Sequence, residues 1–151
     1  MQEQKTLSYD GYELKWQDEF DGTSLNRDDW NVELHAPGWV NSELQEYVDS
    51  DENIQVKDGN LLLKPVEKTN ADGTKSYTSG RINTQGKHDF KYGYFECRAK
   101  VPAGKGYLPA FWMMPTDENL YGQWPKCGEI DIMEVMGQET NKAYGTIHYG
   151  E

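Results

Sequence analysis

The chain has 151 residues and a formal net charge of −11, with hydrophobic residues at 36% and aromatic residues at 13%. That length suits one domain with a real core, and an acidic chain carrying five Trp and ten Tyr reads as folded rather than disordered. The charge repels nucleic acid and anionic membrane over the whole surface but leaves a neutral polysaccharide unaffected.

Helix-period stretches are scarce, whereas short alternating or apolar runs broken by Gly, Pro, Asn and Asp recur from end to end, so the chain reads as all-β. In chain order the runs predict strands over 13–17, 30–34, 43–48, 53–57, 60–65, 78–84, 93–101, 108–113, 129–135 and 143–149. Asp58-Gly59 between the fourth and fifth is a strong hairpin turn. Residues 68–76 and 116–123 read as polar, turn-rich loops. The clearest alternation lies in 92–101, with Phe95, Cys97, Ala99 and Val101 on the packed side and Glu96, Arg98 and Lys100 toward water. Many short strands with regular turn signals imply two stacked antiparallel sheets, a sandwich or jelly roll.

Cys97 and Cys127 are too few for a disulfide framework and too far apart in sequence for a zinc knuckle, so both read as small buried residues. Trp16 and Trp30 read as core, and His35 and His88 as surface. No apolar run approaches a membrane span, and the opening Met1-Gln2-Glu3-Gln4-Lys5 lacks the charged-then-apolar layout of a secretory signal.

The most informative stretch is Gly128-Glu129-Ile130-Asp131-Ile132-Met133-Glu134-Val135-Met136-Gly137, three carboxylates inside an apolar run. Burying carboxylates is costly, which points to chemistry. Strict alternation faces Glu129 and Asp131 one way and Glu134 the other. A β-bulge at Ile132 or Met133 shifts the phase by one and returns Glu134 to the shared face. Two glutamates on one face suit retaining glycoside hydrolysis, in which the carboxyl groups stand about 5–5.5 Å apart. The other reading is a solvated polar face, with Ile130, Ile132 and Val135 packed behind it.

Several colinear segments then carry a resemblance: Trp16-Gln17-Asp18-Glu19-Phe20-Asp21-Gly22, Asn41-Ser42-Glu43-Leu44-Gln45, Ser79-Gly80-Arg81-Ile82, Tyr92-Gly93-Tyr94-Phe95-Glu96, Pro109-Ala110-Phe111-Trp112-Met113-Met114-Pro115, the acidic cluster, and Gly145-Thr146-Ile147-His148-Tyr149-Gly150. Together they resemble glycoside hydrolase family 16, and within it the laminarinase-like endo-β-1,3-glucanases. The resemblance implies a β-jelly roll of two antiparallel sheets with a concave substrate cleft. It implies that Glu129 is the nucleophile, Glu134 the acid/base and Asp131 the group that positions and tunes the pair. Glu134 has to be protonated when substrate arrives, and negative charge on Glu129 and Asp131 raises the cost of ionising it.

By the same resemblance, Trp112 and Trp124 line the cleft, Asn41 and Arg81 hydrogen-bond sugar hydroxyls, and His148 lies beside the acid/base. Read alone, each has a plainer role: core packing for Trp112, surface for Asn41 and Arg81, structure for His148. Trp124, in the polar loop Tyr121-Gly122-Gln123-Trp124-Pro125, suits a cleft better than a core. Catalysis needs no cofactor. A structural calcium is implied on the convex face, with the Glu19 carboxylate and the Gly59 carbonyl among its ligands.

Family domains continue past the Gly-Thr-Ile-His-Tyr-Gly motif, so residues 1–151 correspond to a partial catalytic domain. The expected partners are a β-glucan polysaccharide and a complementary C-terminal segment or second chain that completes the fold, with no nucleic acid and no membrane. The expected location is secreted, cell-surface or periplasmic. Laminarin-like or mixed-linkage β-1,3/1,4-glucans are the leading substrates. A non-catalytic β-glucan-binding module and a related galactanase such as an agarase are the alternatives; the presence of all three acids disfavours the first, and the acidic net charge disfavours a sulfated galactan.

Overall fold

The computed structural model describes residues 8–150, and no helix occurs among them. None of the described residues therefore forms a helix long and apolar enough to cross a membrane. The chain is all-β and divides into two compact units, residues 1–92 and 93–151.

The first unit holds seven short strands: β1 Asn31–Val32, β2 Gln45–Tyr47, β3 Ile54–Lys57, β4 Asn60–Leu63, β5 Val66–Thr69, β6 Lys75–Ser79 and β7 Ile82–Asn83. Strands β3 and β4 form the hairpin expected at Asp58-Gly59, with Lys57 opposite Asn60. Both turn residues have positive φ, +53° and +71°, the conformation a two-residue turn requires to match strand twist. Strand β1 pairs with β7, and β6 lies between a parallel β2 and an antiparallel β5.

The core of this unit is Leu25, Ile54 and Val56, flanked by Phe20, Trp30, Val32, Leu61 and Ile82. Trp30 donates its indole N–H to Asp18 at 2.8 Å, so its polar atom is satisfied as the ring packs. Trp16 meets Trp30 edge-on at 5.3 Å and stacks on His88 at 4.8 Å. Asn53 is 1% exposed and donates to the Lys64 carbonyl at 2.8 Å and the Thr78 hydroxyl at 3.1 Å, tying together the chain on either side of β5. Gly80 is required beside it, because a Cβ there would stand 2.7 Å from Ile54 Cγ1.

The second unit is one antiparallel sheet in the order β10-β9-β8, from β8 Ala110–Met113, β9 Glu129–Glu134 and β10 Tyr144–His148. Its approach to β8 is anchored by backbone bonds from Gly104 to Gly137 and from Gly137 to Tyr107, each 2.8 Å. Gly137 is buried there, and a Cβ would collide with the Gly104 carbonyl.

Four expectations change. Segments 13–17 and 93–101 have no ladder partner among the described residues, since alternation marks an extended chain but pairing needs a neighbour. The packed side expected in 93–101 is only half-buried at Phe95 and Val101, and Cys97 is exposed; Cys127 alone is the buried cysteine, and both are free. The loop expected over 68–76 is mostly the β5–β6 hairpin, whose polar residues are spent on cross-strand contacts such as Lys75 to Glu67 at 2.7 Å. His35 and His88 are not surface residues: their side chains are 23% and 27% exposed, and each pairs with a carboxylate, His35 with Glu33 and His88 with Asp29.

Replacing Asn53 by Ala strands the Thr78 hydroxyl and the Lys64 carbonyl in the interior. The expected cost is about 2 kcal/mol, read as a lower urea midpoint with an unchanged m-value.

Candidate functional site

Strand β9 owes its geometry to one residue. On the β8 side, consecutive Phe111 and Trp112 face Met133 and Asp131, leaving Ile132 without an opposite number. On the β10 side the register slips between Tyr144, opposite Glu134, and Thr146, opposite Asp131. Both ladders thus place an extra residue at Ile132–Met133, the bulge expected from the spacing of the acids. Directly opposed residues share a sheet face. Glu129 opposite His148, Asp131 opposite Trp112 and Thr146, and Glu134 opposite Ala110 and Tyr144 therefore all lie on one surface. The other surface takes Ile130, opposite Met113 and Ile147.

The acids on that surface are tied into a chain. Trp124 donates its indole N–H to Glu129 Oε2 at 2.7 Å. Glu129 is hydrogen-bonded to Asp131, and Asp131 Oδ2 lies 3.0 Å from His148 Nε2. Asp131 is almost wholly buried, its side chain 3% exposed, whereas His148 is 34% exposed. Donor atoms of Glu129, Asp131 and His148 lie within 4.8 Å of one another and are already committed to these mutual bonds. Burial pushes the Glu129 carboxyl above its ordinary value; the Trp124 bond opposes this, the bond and charge of Asp131 add to it, and His148 opposes it. The balance is upward, so a proton is held more tightly on Glu129 than on a free glutamate.

Trp124 is 56% exposed and lies 5.5 Å from the His148 ring, which leaves much of its indole face open beside the acids. Trp112 is half-buried on β8, on the same surface as Asp131. The arrangement gathers three carboxylates on one surface beside an open aromatic face.

Asn41 and Arg81 belong to the first unit. Asn41 is exposed in the 36–43 loop, with φ +51° followed by Ser42 at +55°. The loop is closed by Gly38 N–H to the Glu43 carbonyl at 2.7 Å. Arg81 stands over the rings of Trp39 at 5.0 Å and Tyr47 at 5.6 Å and forms an ion pair with Glu33 at 2.8 Å. Glu33 also holds His35 at 2.9 Å and accepts from Asn83 at 2.9 Å. Burial opposes ionisation of Glu33, but the Asn83 bond, the Arg81 charge and the His35 bond outweigh it and hold the pKa below the ordinary value. His35 stacks on Trp39 with centroids 3.4 Å apart and planes 4° from parallel. Glu33, His35, Trp39 and Tyr47 were not among the expected site residues. Of these only Trp39 carries a signal in the sequence, a tryptophan in a Pro-Gly loop as Trp124 is.

Glu19 borders an open cavity of about 360 Å³ with Asp18, Asp21 and Asp29 in the first unit. Both Asp18 oxygens are occupied, by Phe20 N–H and the Trp30 indole, and Gly59 is not among the residues bordering the cavity.

A family model described as "Beta-porphyranase A-D, GH16 domain" matches residues 14–149. A glucan endo-1,3-beta-glucosidase of Cryptopygus antarcticus is 44% identical over 148 residues, covering 95% of this chain and 53% of its own length. Glucan endo-1,3-beta-glucosidase A1 of Niallia circulans is 42% identical over 153 residues, covering 93% of this chain and 22% of its own length. The solved catalytic domain of an endo-1,3-beta-glucanase (laminarinase) from Thermotoga petrophila RKU-1 superimposes with a TM-score of 0.79 at 42% identity, over 91% of this chain and 57% of that one. The chain thus spans about half or less of the length of these relatives.

Replacing Glu33 by Gln leaves Arg81 half-paired, and a loss of about 2–3 kcal/mol is expected by urea denaturation at neutral pH. Because the folded pKa of Glu33 is depressed, its contribution is present above the unfolded value and is lost as pH falls through the folded one. The gap between wild type and variant therefore narrows on acidification.

Proposed function

Since the chain belongs to glycoside hydrolase family 16, we propose that it forms the catalytic part of a retaining endo-hydrolase of β-1,3-glucosidic bonds in laminarin-like or mixed-linkage β-1,3/1,4-glucans. The observation that carries this reading is the bulged strand, which gathers Glu129, Asp131 and Glu134 on one surface.

In this reading Glu129 attacks the anomeric carbon while Glu134 protonates the departing glycosidic oxygen. A covalent glycosyl-enzyme results, and Glu129 loses its negative charge. Glu134, now ionised, takes a proton from water, which attacks the same carbon and releases Glu129 as a carboxylate. Asp131, bonded to Glu129 and paired with His148, orients the nucleophile. The open face of Trp124 takes the C–H face of a sugar and Trp112 walls the same surface, while Asn41 and Arg81 serve sugar hydroxyls in the first unit.

The match to a porphyranase model favours a second reading, hydrolysis of a galactan. Arg81 argues for the glucan: its charge is already answered by Glu33, so it offers donors and a stacking plane rather than an uncompensated cation for a sulfate ester.

The apolar surface of the β8–β10 sheet exposes Ile130 at 47% and Ile147 at 66%. We assign its cover to a complementary segment or a second chain. Action on a polymeric substrate that does not enter cells supports a secreted, cell-surface or periplasmic location. A structural calcium, held in part by the Glu19 carboxylate and the Gly59 carbonyl, would add stability and take no part in bond cleavage.

Reducing-sugar release by the intact protein is expected from laminarin, with less or none from agarose or porphyran; the reverse order would transfer the proposal to a galactan. Glu129→Ala is expected to lower the rate at least about 1,000-fold. Deleting Ile132 removes the residue that the bulge absorbs and shortens the spacing of the two glutamates to an even number, so a regular ladder still carries both on one face; activity is expected to fall far less than in Glu129→Ala while circular dichroism stays β-rich. Calcium is expected to raise Tm and EDTA to lower it, with Glu19→Gln abolishing the difference.

A further inference from the structure

We propose that Trp124, besides offering its ring to a sugar, is the positioning residue of Glu129, holding that carboxylate through its indole N–H in the rotamer from which it attacks. This rests on the reading of Glu129 as nucleophile, and it assigns Trp124 a role that sugar stacking does not require.

The geometry separates the two roles. Stacking uses the face of the indole, which is open: Trp124 is 56% exposed and only tilted toward His148. The bond to Glu129 uses the edge, through Nε1 to Oε2 at 2.7 Å, the length of a charge-assisted hydrogen bond. One side chain can therefore carry a sugar on its face and a carboxylate on its edge at once. The bond also answers a local difficulty. Glu129 sits beside Asp131, a second carboxylate with almost no access to water, and the imidazole of His148 is paired with Asp131 rather than with Glu129. Trp124 is the donor that stabilises negative charge on Glu129 without itself titrating.

The origin of Trp124 in a loop fits this assignment. Lys126 N–H to the Gln123 carbonyl at 2.9 Å and Gly128 N–H to the Pro125 carbonyl at 3.0 Å turn the chain back on itself just before β9. The donor is thereby delivered from five residues upstream of its acceptor. Cys127, in the same turn, is buried.

The test uses the intact protein with Trp124→Phe, which keeps an aromatic face and removes the N–H, and a second form in which benzothiophene replaces the indole without changing its shape. Two readouts are taken: the carbon-13 carboxyl titration of Glu129, and kcat and KM on laminarin across pH. Loss of the bond is expected to raise the Glu129 midpoint by about one pH unit. The acid limb of kcat/KM moves up with it, while kcat falls about ten-fold or more and KM changes little. Charges on Asp131 and His148 act on Glu129 in both forms, so they are common to the comparison. An unchanged midpoint and an unchanged acid limb, with any loss confined to KM, would overturn the proposal and leave Trp124 a platform alone. If the wild type hydrolyses no polysaccharide, the reading of the activity fails, and the carboxyl titration still decides whether the indole holds Glu129.

Discussion

One unpaired residue, Ile132, governs the second unit. Were all six residues of β9 paired in the strict two-residue period, with no bulge, Glu134 would fall among the apolar side chains of Ile130 and Ile147, where a carboxylate has no partner and a high desolvation cost. With the bulge, β9 keeps its ladder to both neighbours and still changes phase once, between Asp131 and Met133. The flanking strands accept the change because each slips at the same level, between Phe111 and Trp112 on one side and around Gly145 on the other. A glycine there presents no side chain to the kink.

Having gathered acids, the fold has to keep them from repelling one another apart. It does so by linking donors and acceptors in sequence: indole, Glu129, Asp131, imidazole. The most buried member, Asp131, receives the group able to carry positive charge, and the more exposed Glu129 receives a neutral donor. This ordering suits a reaction in which one of the two carboxylates changes charge and the other does not. A cation bound directly to Glu129 would pin its negative charge and oppose the neutralisation that accompanies covalent attachment, whereas a neutral N–H opposes it less.

The same distinction between local period and pairing decides what was legible in the sequence. The bulge could be read because its signature is internal to one strand, three acids whose spacing only a phase change reconciles. The β3–β4 hairpin could be read because Asp58-Gly59 supplies both positive φ angles. Residues 93–101 misled because Phe95, Cys97, Ala99 and Val101 show the period of a half-buried strand, and period carries no information about what lies opposite. The β5–β6 hairpin was hidden for the converse reason: Glu67, Thr69 and Lys75 look like loop residues until they are seen to satisfy one another across the ladder. The Glu33 cluster escaped because its members come from three separated stretches, and a histidine or glutamate alone on a strand carries no sign that an arginine some fifty residues away completes it.

That cluster also shows what the acidic composition does locally. With a net charge of −11 the chain has carboxylates to spare, and Arg81 is met by one of them at 2.8 Å while two aromatic rings cover it. Glu33 remains ionised because three donors surround it, so the pair is neutral as a unit. His35 and Asn83 brace the same carboxylate from other directions and fix the guanidinium in one orientation against Trp39. The product is a guanidinium whose charge is answered by a carboxylate and which is held between aromatic rings. Such an arrangement matches a sugar, whose hydroxyls seek donors and whose C–H face seeks a ring, and it gives little to an anion.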